Sequence, residues 1–540
     1  MNLVSVAEMK AVEQAADAAG WTYAMMMESA GRGLAEVVMR RAQGWSAERR
    51  VVGLVGSGNN GGDTLIALEH LARAGWTAHA GLLRPRPGDA LLERLAAAGG
   101  TWSAPEETAR LDLALDGAGV VLDGVLGTGI QLPLRPELAQ ALGRVRQRLP
   151  SRQRKTSLPG GERGCWVVAV DCPSGVDCDS GAAAPECIAA DVTVCMAAVK
   201  VGLTAFPAFE LAGELETVSI GAPEELPAWQ ALRRRVADAD WVREALPERR
   251  MTAHKGTFGT ALVVAGSINY CGAAFLAGKA AYRAGAGLVT LGVSEAIQAI
   301  LAGQLPEATW VLLPHEDGVL SAAAEGVLRR HLKRVSALLL GPGWGVEATT
   351  GRFLARLLET GAAGGSGMGF LPGAARAAGD QLPALVVDAD GLKLLAQIPR
   401  WSERLPKPAV LTPHPGEMAV LSGLSVAEIQ ADRLALAECF AREWGHVLVL
   451  KGAVTVVASP EGETAVIPVA TAALARAGTG DVLAGVITGL RAQGMSAFAA
   501  AAAGAWIHAQ AGLAAARAHG STVSVLAGDV LDGLVRVFAD

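Results

Sequence analysis

The chain has 540 residues, more than one hydrophobic core spans, so two or more domains are expected. Apolar residues make up 51% and charged residues 19%, which excludes a disordered chain, and a net charge of −6 offers no bulk attraction to nucleic acid or anionic lipid. With 66 glycines and 4% aromatics, the composition suits helices lying close on a sheet.

The first segment, MNLVSVAEMKAVEQAADAAG, carries acidic residues early and lacks the apolar run of a signal peptide, so a cytoplasmic protein is expected. MKAVEQAADAAG and MMMESAGRGLAEVVMRRA have helical spacing. The strand-like RRVVGLVG then runs into GSGNNGGD. There Gly56, Gly58 and Gly61 spell G-x-G-x-x-G ahead of the helix-like TLIALEHLARAG. A plain dinucleotide fingerprint expects an acid about 20 residues further on. This chain instead has Arg84 and Arg86, suited either to a 2′-phosphate or to the surface. The loop also holds Asn59, Asn60 and Asp63, which the fingerprint does not require.

TAHAGLL, GVVLDGVLG, CWVVAVD, ADVTVCM and ELETVSI read as further strands, and their alternation with helices predicts a parallel, doubly wound sheet. Ligands of such sheets bind beyond the carboxyl ends of the strands. LDGVLGTGIQLP puts Asp123 at one such end, and VVAVDCPSGVD puts Asp171 and Ser174 at another. Any one of these could simply cap a turn. Three polar strand ends in one half point instead to a shared site. Asn60, Asp123 and Ser174 are hard oxygen donors, suited to an alkali or alkaline-earth cation rather than zinc. Asp171 suits general acid/base work if partly desolvated. The basic run RVRQRLPSRQRK, residues 144–155, reads as a solvated surface loop. Five of the seven cysteines lie between Cys165 and Cys195 without a C-x-x-C. They read as small buried thiols in a reducing compartment.

NNGGD, DGVLGTG and DCPSGVD, in that order, resemble the NAD(P)H-hydrate epimerases, and the resemblance covers most of residues 1–221, including MMMESAG and ADVTVCMAAVKVGL. It implies a grip on the hydrated nucleotide by Asn59, Asn60, Gly61, Gly62 and Asp63, with Gly127, Thr128, Gly129, Ile130, Gln131, Leu132 and Pro133. It implies Asp171 as the acid/base that meets the damaged ring, and potassium on Asn60, Asp123 and Ser174. Ser57 and Thr64 stand where the family usually has proline and glycine. No hydride would move: the R and S epimers of NADH or NADPH hydrated at C6 would interconvert.

GAPEELPAWQALRRRVADADWVREALPERR is rich in proline and charge and predicts a linker at 223–246, between domains 1–222 and 247–540. The alternation then restarts. GTALVVAGS, LVTLGV, VSALLLGPGWG, PALVVDADG, PAVLTPHPGE and HVLVLKGAVTVVAS read as strands, mostly ending in polar or glycine-rich turns, and GAAFLAGKAAYRAGAG as a helix. The glycine- and alanine-rich 361–379 reads as a mobile surface loop. AFAAAAAGAWIHAQAGLAAARA, with His508 and Gln510, reads as a buried helix rather than a membrane span. In ARAGTGDVLAG, Gly478 and Gly480 precede a helix whose first turn offers N–H groups to an anion. Asp481 at that turn can take a proton from a hydroxyl during phosphoryl transfer, or can simply cap the helix. There is no P-loop; the nearest attempt has wrong spacing and Ala280 in place of the magnesium-binding hydroxyl. His414, between two prolines, is either a turn residue or a ligand contact.

GTGD with TPHPGE and LKG resembles the ribokinase-like superfamily. Together with VVDADGLKLLA, LLLGPGWG, VLKGAVTVVA and HKGTFGTALVVAGS, they are similar to the ADP- or ATP-dependent NAD(P)H-hydrate dehydratases over most of residues 248–535. The resemblance implies contacts to the hydrate by Ala273, Gly343, His414 and Asp481. It implies a nucleotide site of Lys451, Gly452, Ala453, Val454, Thr455 and Gly480, with Mg²⁺ and with ADP or ATP as co-substrate. The approach VATAALARAG lacks the family's usual T-G-N turn, and 361–379 resembles an insertion. The fold expected is therefore α/β throughout: a Rossmann-like doubly wound sheet, then a ribokinase-like domain. The expected function is repair of hydrated nicotinamide nucleotides, with small-molecule substrates, no nucleic-acid or membrane partner, and room for a homo-oligomer. The alternatives are a ribokinase-like small-molecule kinase fused to a non-catalytic nucleotide-binding domain and, in the first half, a ligand sensor or protein-interaction module, or an NAD-dependent dehydrogenase.

Overall fold

A computed structural model describes residues 1–43, 49–149, 165–359 and 382–539, in two compact units, Met1–Val236 and Ala237–Asp540. The stretch 361–379 and the second half of the basic run 144–155 lie outside the described residues. The first half of that run is not a loop. It ends the helix Pro136–Arg148, where Arg144 and Arg148 pair with Asp112 and Arg148 also with Asp116.

The first unit is built on a parallel sheet. Its strands are β1 (Arg50–Val55), β2 (Thr77–Leu82), β3 (Thr101–Ser103), β4 (Val120–Gly124), β5 (Trp166–Val170), β6 (Val192–Met196) and β7 (Glu214–Val218), in the spatial order β3-β2-β1-β4-β5-β6-β7. Five of these interior runs are apolar at almost every position, as strands covered on both faces must be. The order reverses between β1 and β4, which opens a crevice at their carboxyl ends. Helix α1 (Val6–Ala18) starts at a capping box in which Ser5 and Glu8 exchange hydrogen bonds. Helix α2 is Tyr23–Arg41, and α3 is Asn59–Arg73.

The second unit repeats the principle with β8 (Thr260–Val264), β9 (Leu288–Ser294), β10 (Thr309–Leu313), β11 (Ala337–Leu340), β12 (Ala384–Val387), β13 (Val410–Leu411), β14 (Val447–Leu450), β15 (Thr455–Ala458) and β16 (Thr464–Ile467). They run β16-β15-β14-β13-β12-β11-β8-β9-β10, parallel from β14 to β10, with β15 and β16 antiparallel. HVLVLKGAVTVVAS is thus two strands folded on a turn, not one. Helix α4 (Cys271–Arg283) packs on α5 (Thr479–Ala492), and the buried α6 (Ala497–His519) lies beside α5. Small residues let the first pair approach. A Cβ at Gly485 would lie 2.2 Å from the Ala277 carbonyl oxygen, and one at Gly489 2.6 Å from that of Ala281. Among the described residues no helix is long and apolar enough to cross a membrane.

Candidate active sites

In the first unit, three strand ends meet at the reversal of the sheet. The residues NNGGD do not form a loop ahead of the helix; they are the first turn of α3, whose N-cap is Gly58. Asn60 faces inward, and its side-chain amide donates to the carbonyls of Val170 (2.6 Å) at the end of β5 and Leu126 (3.1 Å) beyond β4. The approach of α3 to β4 is possible because residue 124 is glycine: a Cβ there would fall 1.8 Å from Thr64 Oγ1 and 2.9 Å from the Asn60 carbonyl oxygen. Thr64 fills that space, with its hydroxyl donating to the Asn60 carbonyl at 2.7 Å, which accounts for a threonine at this position.

Asp123 is fully buried. Its carboxylate accepts from Ser174 Oγ (2.5 Å) and from the Ser174 backbone N–H (2.9 Å), and Ser174 Oγ accepts from Leu126 N (2.9 Å). Burial raises its pKa, and hydrogen bonds from neutral groups only partly offset this. A buried carboxylate with uncharged donors around it is a place for a cation. Asn60, Asp123 and Ser174 offer oxygens of the hard kind that suit potassium.

Asp171 follows β5 in a left-handed conformation (φ 66°). Its Oδ1 accepts from the Met196 backbone N–H at 2.9 Å and from the ammonium of Lys200. Lys200, 1% exposed, also donates to the carbonyls of Met196 and Ala198, both at 3.1 Å. Burial by itself would lower the Lys200 pKa, but the Asp171 carboxylate together with Cys195 and Cys178 outweighs it and the net shift is upward. Asp63, one helical turn beyond Asn60, is buried, and its pKa stands well above the usual carboxylate range, first through desolvation and then through Asp171. The structure thus brings together Asn60, Asp63, Asp123, Gly127, Asp171 and Ser174, with Gly127 against the Asn60 amide. Asn59, Gly129, Gln131 and Pro133 are exposed on the rim. Arg86 does not wait for a 2′-phosphate. It donates to the carbonyls of Gly56 (2.6 Å) and Gly58 (3.2 Å) and pairs with Asp89, bracing the glycine turn.

In the second unit the strand ends of β12, β13 and β14 converge on the start of α5. Asp388, after β12, is 1% exposed and accepts from Thr412 Oγ1 and from the Lys451 ammonium, each at 2.7 Å. Glu417 stands 3.6 Å from the same ammonium. Gly480, in the first turn of α5, faces them: a Cβ there would be 3.6 Å from Lys451 Nζ and 3.9 Å from Asp388 Oδ2. Asp481 is not the N-cap, which is Gly478, but sits within the first turn. Desolvation, then repulsion by Asp388, raises its pKa to about 7 against the pull of Lys451. His414 caps the helix Pro415–Ser422, with Nδ1 accepting from Gly416 N (3.0 Å) and Glu417 N (3.2 Å), so its ring is both turn residue and exposed strand-end group. Gly343 and Ala273 are neighbours, a Cβ on the first lying 2.7 Å from that of the second. Lys451 to Thr455 form the turn between β14 and β15, closed by Thr455 Oγ1 donating to the Gly452 carbonyl at 3.0 Å. Among the described residues no group of three or more His, Cys, Asp or Glu is arranged to hold a metal ion.

Lys200, Asp388, Thr412 and Glu417 were not singled out from the sequence. AVKVGL, VVDADG and TPHPGE contain them, but their partners lie 24 to 63 residues away along the chain.

The family model described as YjeF-related protein N-terminus matches residues 23–202, and that described as NAD(P)H-hydrate dehydratase matches 261–536. The bifunctional NAD(P)H-hydrate repair enzyme Nnr of Moorella thermoacetica is 39% identical over 547 residues, covering 99% of this chain and 96% of that protein. The enzyme of the same description from Escherichia coli is 32% identical, covering 97% of this chain and 91% of that protein. Among solved structures, the ADP/ATP-dependent NAD(P)H-hydrate dehydratase from Bacillus subtilis, co-crystallised with ATP/Mg²⁺, is 31% identical over 56% of this chain and 98% of its own, with a TM-score of 0.46.

Proposed function

The chain belongs to the bifunctional NAD(P)H-hydrate repair enzymes, and from that premise we propose how the residues of its two units divide the work. The first unit interconverts the R and S forms of NADH or NADPH hydrated at C6 of the nicotinamide ring; the second dehydrates the S form while consuming ADP or ATP. The kinase and dehydrogenase alternatives fall away with that membership.

In the first unit the observation that carries the residue assignment is the meeting of three strand ends around Asp171. The first turn of α3, Asn59 to Asp63, and the rim Gly127 to Pro133 hold the nucleotide, and Asp171 acts as acid/base at C6. Asn60, Asp123 and Ser174 would hold a potassium ion, which supplies positive charge beside the buried Asp123 carboxylate.

In the second unit Asp481 takes the proton of the C6 hydroxyl as the terminal phosphoryl group of the nucleotide moves to that oxygen. The C6–O bond then breaks with the ring nitrogen lone pair assisting, and a proton leaves C5, so that NADH, phosphate and, from ADP, AMP result. Lys451 to Thr455 and Gly480 hold the adenine nucleotide, and Ala273, Gly343, His414 and Asp481 line the hydrate. Magnesium would enter with the nucleotide phosphates and neutralise charge there. All seven cysteines are free thiols, which fits a reducing cytoplasm.

Separate variants test the division. Asp171→Asn should leave S-hydrate dehydration intact and abolish use of the R form, whereas Asp481→Asn should abolish NADH formation from both. An Asp171→Asn enzyme that still consumes R-hydrate would remove Asp171 from the chemistry. Asp123→Asn should lose potassium activation of epimerisation, read by replacing K⁺ with a large organic cation.

A further inference from the structure

We propose that Lys200 is a positioning residue of the epimerase site, fixing one oxygen of Asp171 so that the other is presented to the hydrated ring. The inference rests on the assignment of Asp171 as acid/base.

The hydrogen-bond inventory carries it. An ammonium has three N–H donors and no acceptor. Those of Lys200 meet three oxygens: Asp171 Oδ1 and the carbonyls of Met196 and Ala198. With every donor engaged and the side chain 1% exposed, Lys200 has nothing left to offer a substrate, neither a proton nor a nucleophilic lone pair. Its pKa is shifted upward, which keeps it in the ammonium form. On the other side of the pair, both bonds to the Asp171 side chain, from Lys200 and from Met196 N, fall on Oδ1. No described donor reaches Oδ2. One oxygen is therefore anchored and the other is left for chemistry.

The backbone is shaped around this arrangement. Asp171 and Ala197 both adopt left-handed conformations, at φ 66° and 64°, rare for residues with a Cβ. The first turns the carboxylate out of β5 towards Lys200. The second lets the chain double back after β6, so that the carbonyls of Met196 and Ala198 both face the same ammonium. Two strained residues meeting at one buried ion pair beside the proposed acid/base fit a group held for function. The charged or titratable groups whose fields reach this pair are Asp63 from α3, Glu13 from α1 and the thiols of Cys172, Cys178 and Cys195.

The test compares Lys200→Met and Asp171→Asn in the full-length chain, following interconversion of purified R- and S-hydrate by chromatography, with circular dichroism and melting as checks of folding. For folded Lys200→Met the expected result is a fall in epimerisation kcat of about 100-fold with KM changed less than about threefold, the pattern of a misplaced catalytic group rather than a lost binding contact. A folded Lys200→Met enzyme with kcat within about threefold of the parent, beside an inactive Asp171→Asn, overturns the role of Lys200 and leaves Asp171 standing. An active Asp171→Asn overturns the assignment of Asp171 and this inference with it. If Lys200→Met does not fold, the unmutated enzyme decides. With ¹⁵N-labelled lysine it should show a lysine ammonium resonance protected from solvent exchange that shifts when hydrate binds. Absence of a protected signal, or one indifferent to the hydrate, overturns the proposal.

Discussion

Asp481 carries two opposed requirements in one carboxyl. To accept a proton it must ionise, yet burial and the neighbouring Asp388 hold its pKa at about 7. The kcat/KM for S-hydrate dehydration should therefore fall below pH 7 with a single-proton acid limb; a rate flat down to pH 5 would show that Asp481 is not the base. The same group affects stability. The unfolded chain releases this proton near pH 4 and the folded chain near 7, so stability is lost as pH rises between those values. Asp481→Asn should then abolish dehydration while stabilising the second unit at pH 8, by about 2 kcal/mol in denaturant titrations. Two histidines act with the opposite sign. His446, with Nδ1 accepting from Ala409 N and Nε2 on the Ser402 carbonyl, and His508 in α6 are buried and neutral, and desolvation lowers both pKa values to about 4. Between pH 6.5 and 4 the unfolded chain binds the extra protons, so each residue should contribute a loss of about 3 kcal/mol as pH falls through that window. His508→Leu should flatten this acid limb without affecting it above pH 7. The positions of Asn60 and Asp481 at helix starts, and of Asp123 and Asp171 at strand ends, were legible because glycine-rich motifs mark them. Lys200 and Asp388 were not, because a buried ion pair has no local signature and is assembled only by the sheet.

At the scale of elements, the contact between α4 and α5 sets the second site, since α5 carries Gly480 and Asp481 at its start. That contact depends on glycine. Gly485→Ala would bring a methyl group to 2.2 Å from the Ala277 carbonyl oxygen. Overpacking of this kind costs about 3 kcal/mol, against roughly 1 kcal/mol gained in helix propensity. A net loss of about 2 kcal/mol should appear as a lower melting temperature of the second unit, together with a raised KM for hydrate as the first turn of α5 shifts; an unchanged melting temperature would mean the helices separate at little cost. Most strands were readable from apolar runs ending in polar turns. β3 was not, because three residues, TWS, are too few to establish a period. The start of α3 was misplaced into the loop, because glycine and asparagine are poor helix formers and only the docking of Asn60 on β4 and β5 holds them in a first turn.

For the whole molecule, the two sites make chemical sense in one chain. Spontaneous hydration gives both epimers, and a dehydratase that accepts one of them leaves the other to accumulate unless it is interconverted. The family and the order of the two activities could be read from motifs, since NNGGD and GTGD each sit at the start of a helix, the first directly after a strand and the second after a short turn, Ala472–Leu474. The most direct test is recovery of NADH absorbance at 340 nm from a mixed R- and S-hydrate preparation, with Mg²⁺ and K⁺, and with ADP and ATP supplied in parallel. Complete recovery with one of the nucleotides is predicted, in two phases, the slower paced by epimerisation. Recovery that stops at the S fraction would contradict an active first unit, and no recovery from folded protein with either nucleotide would contradict the account as a whole.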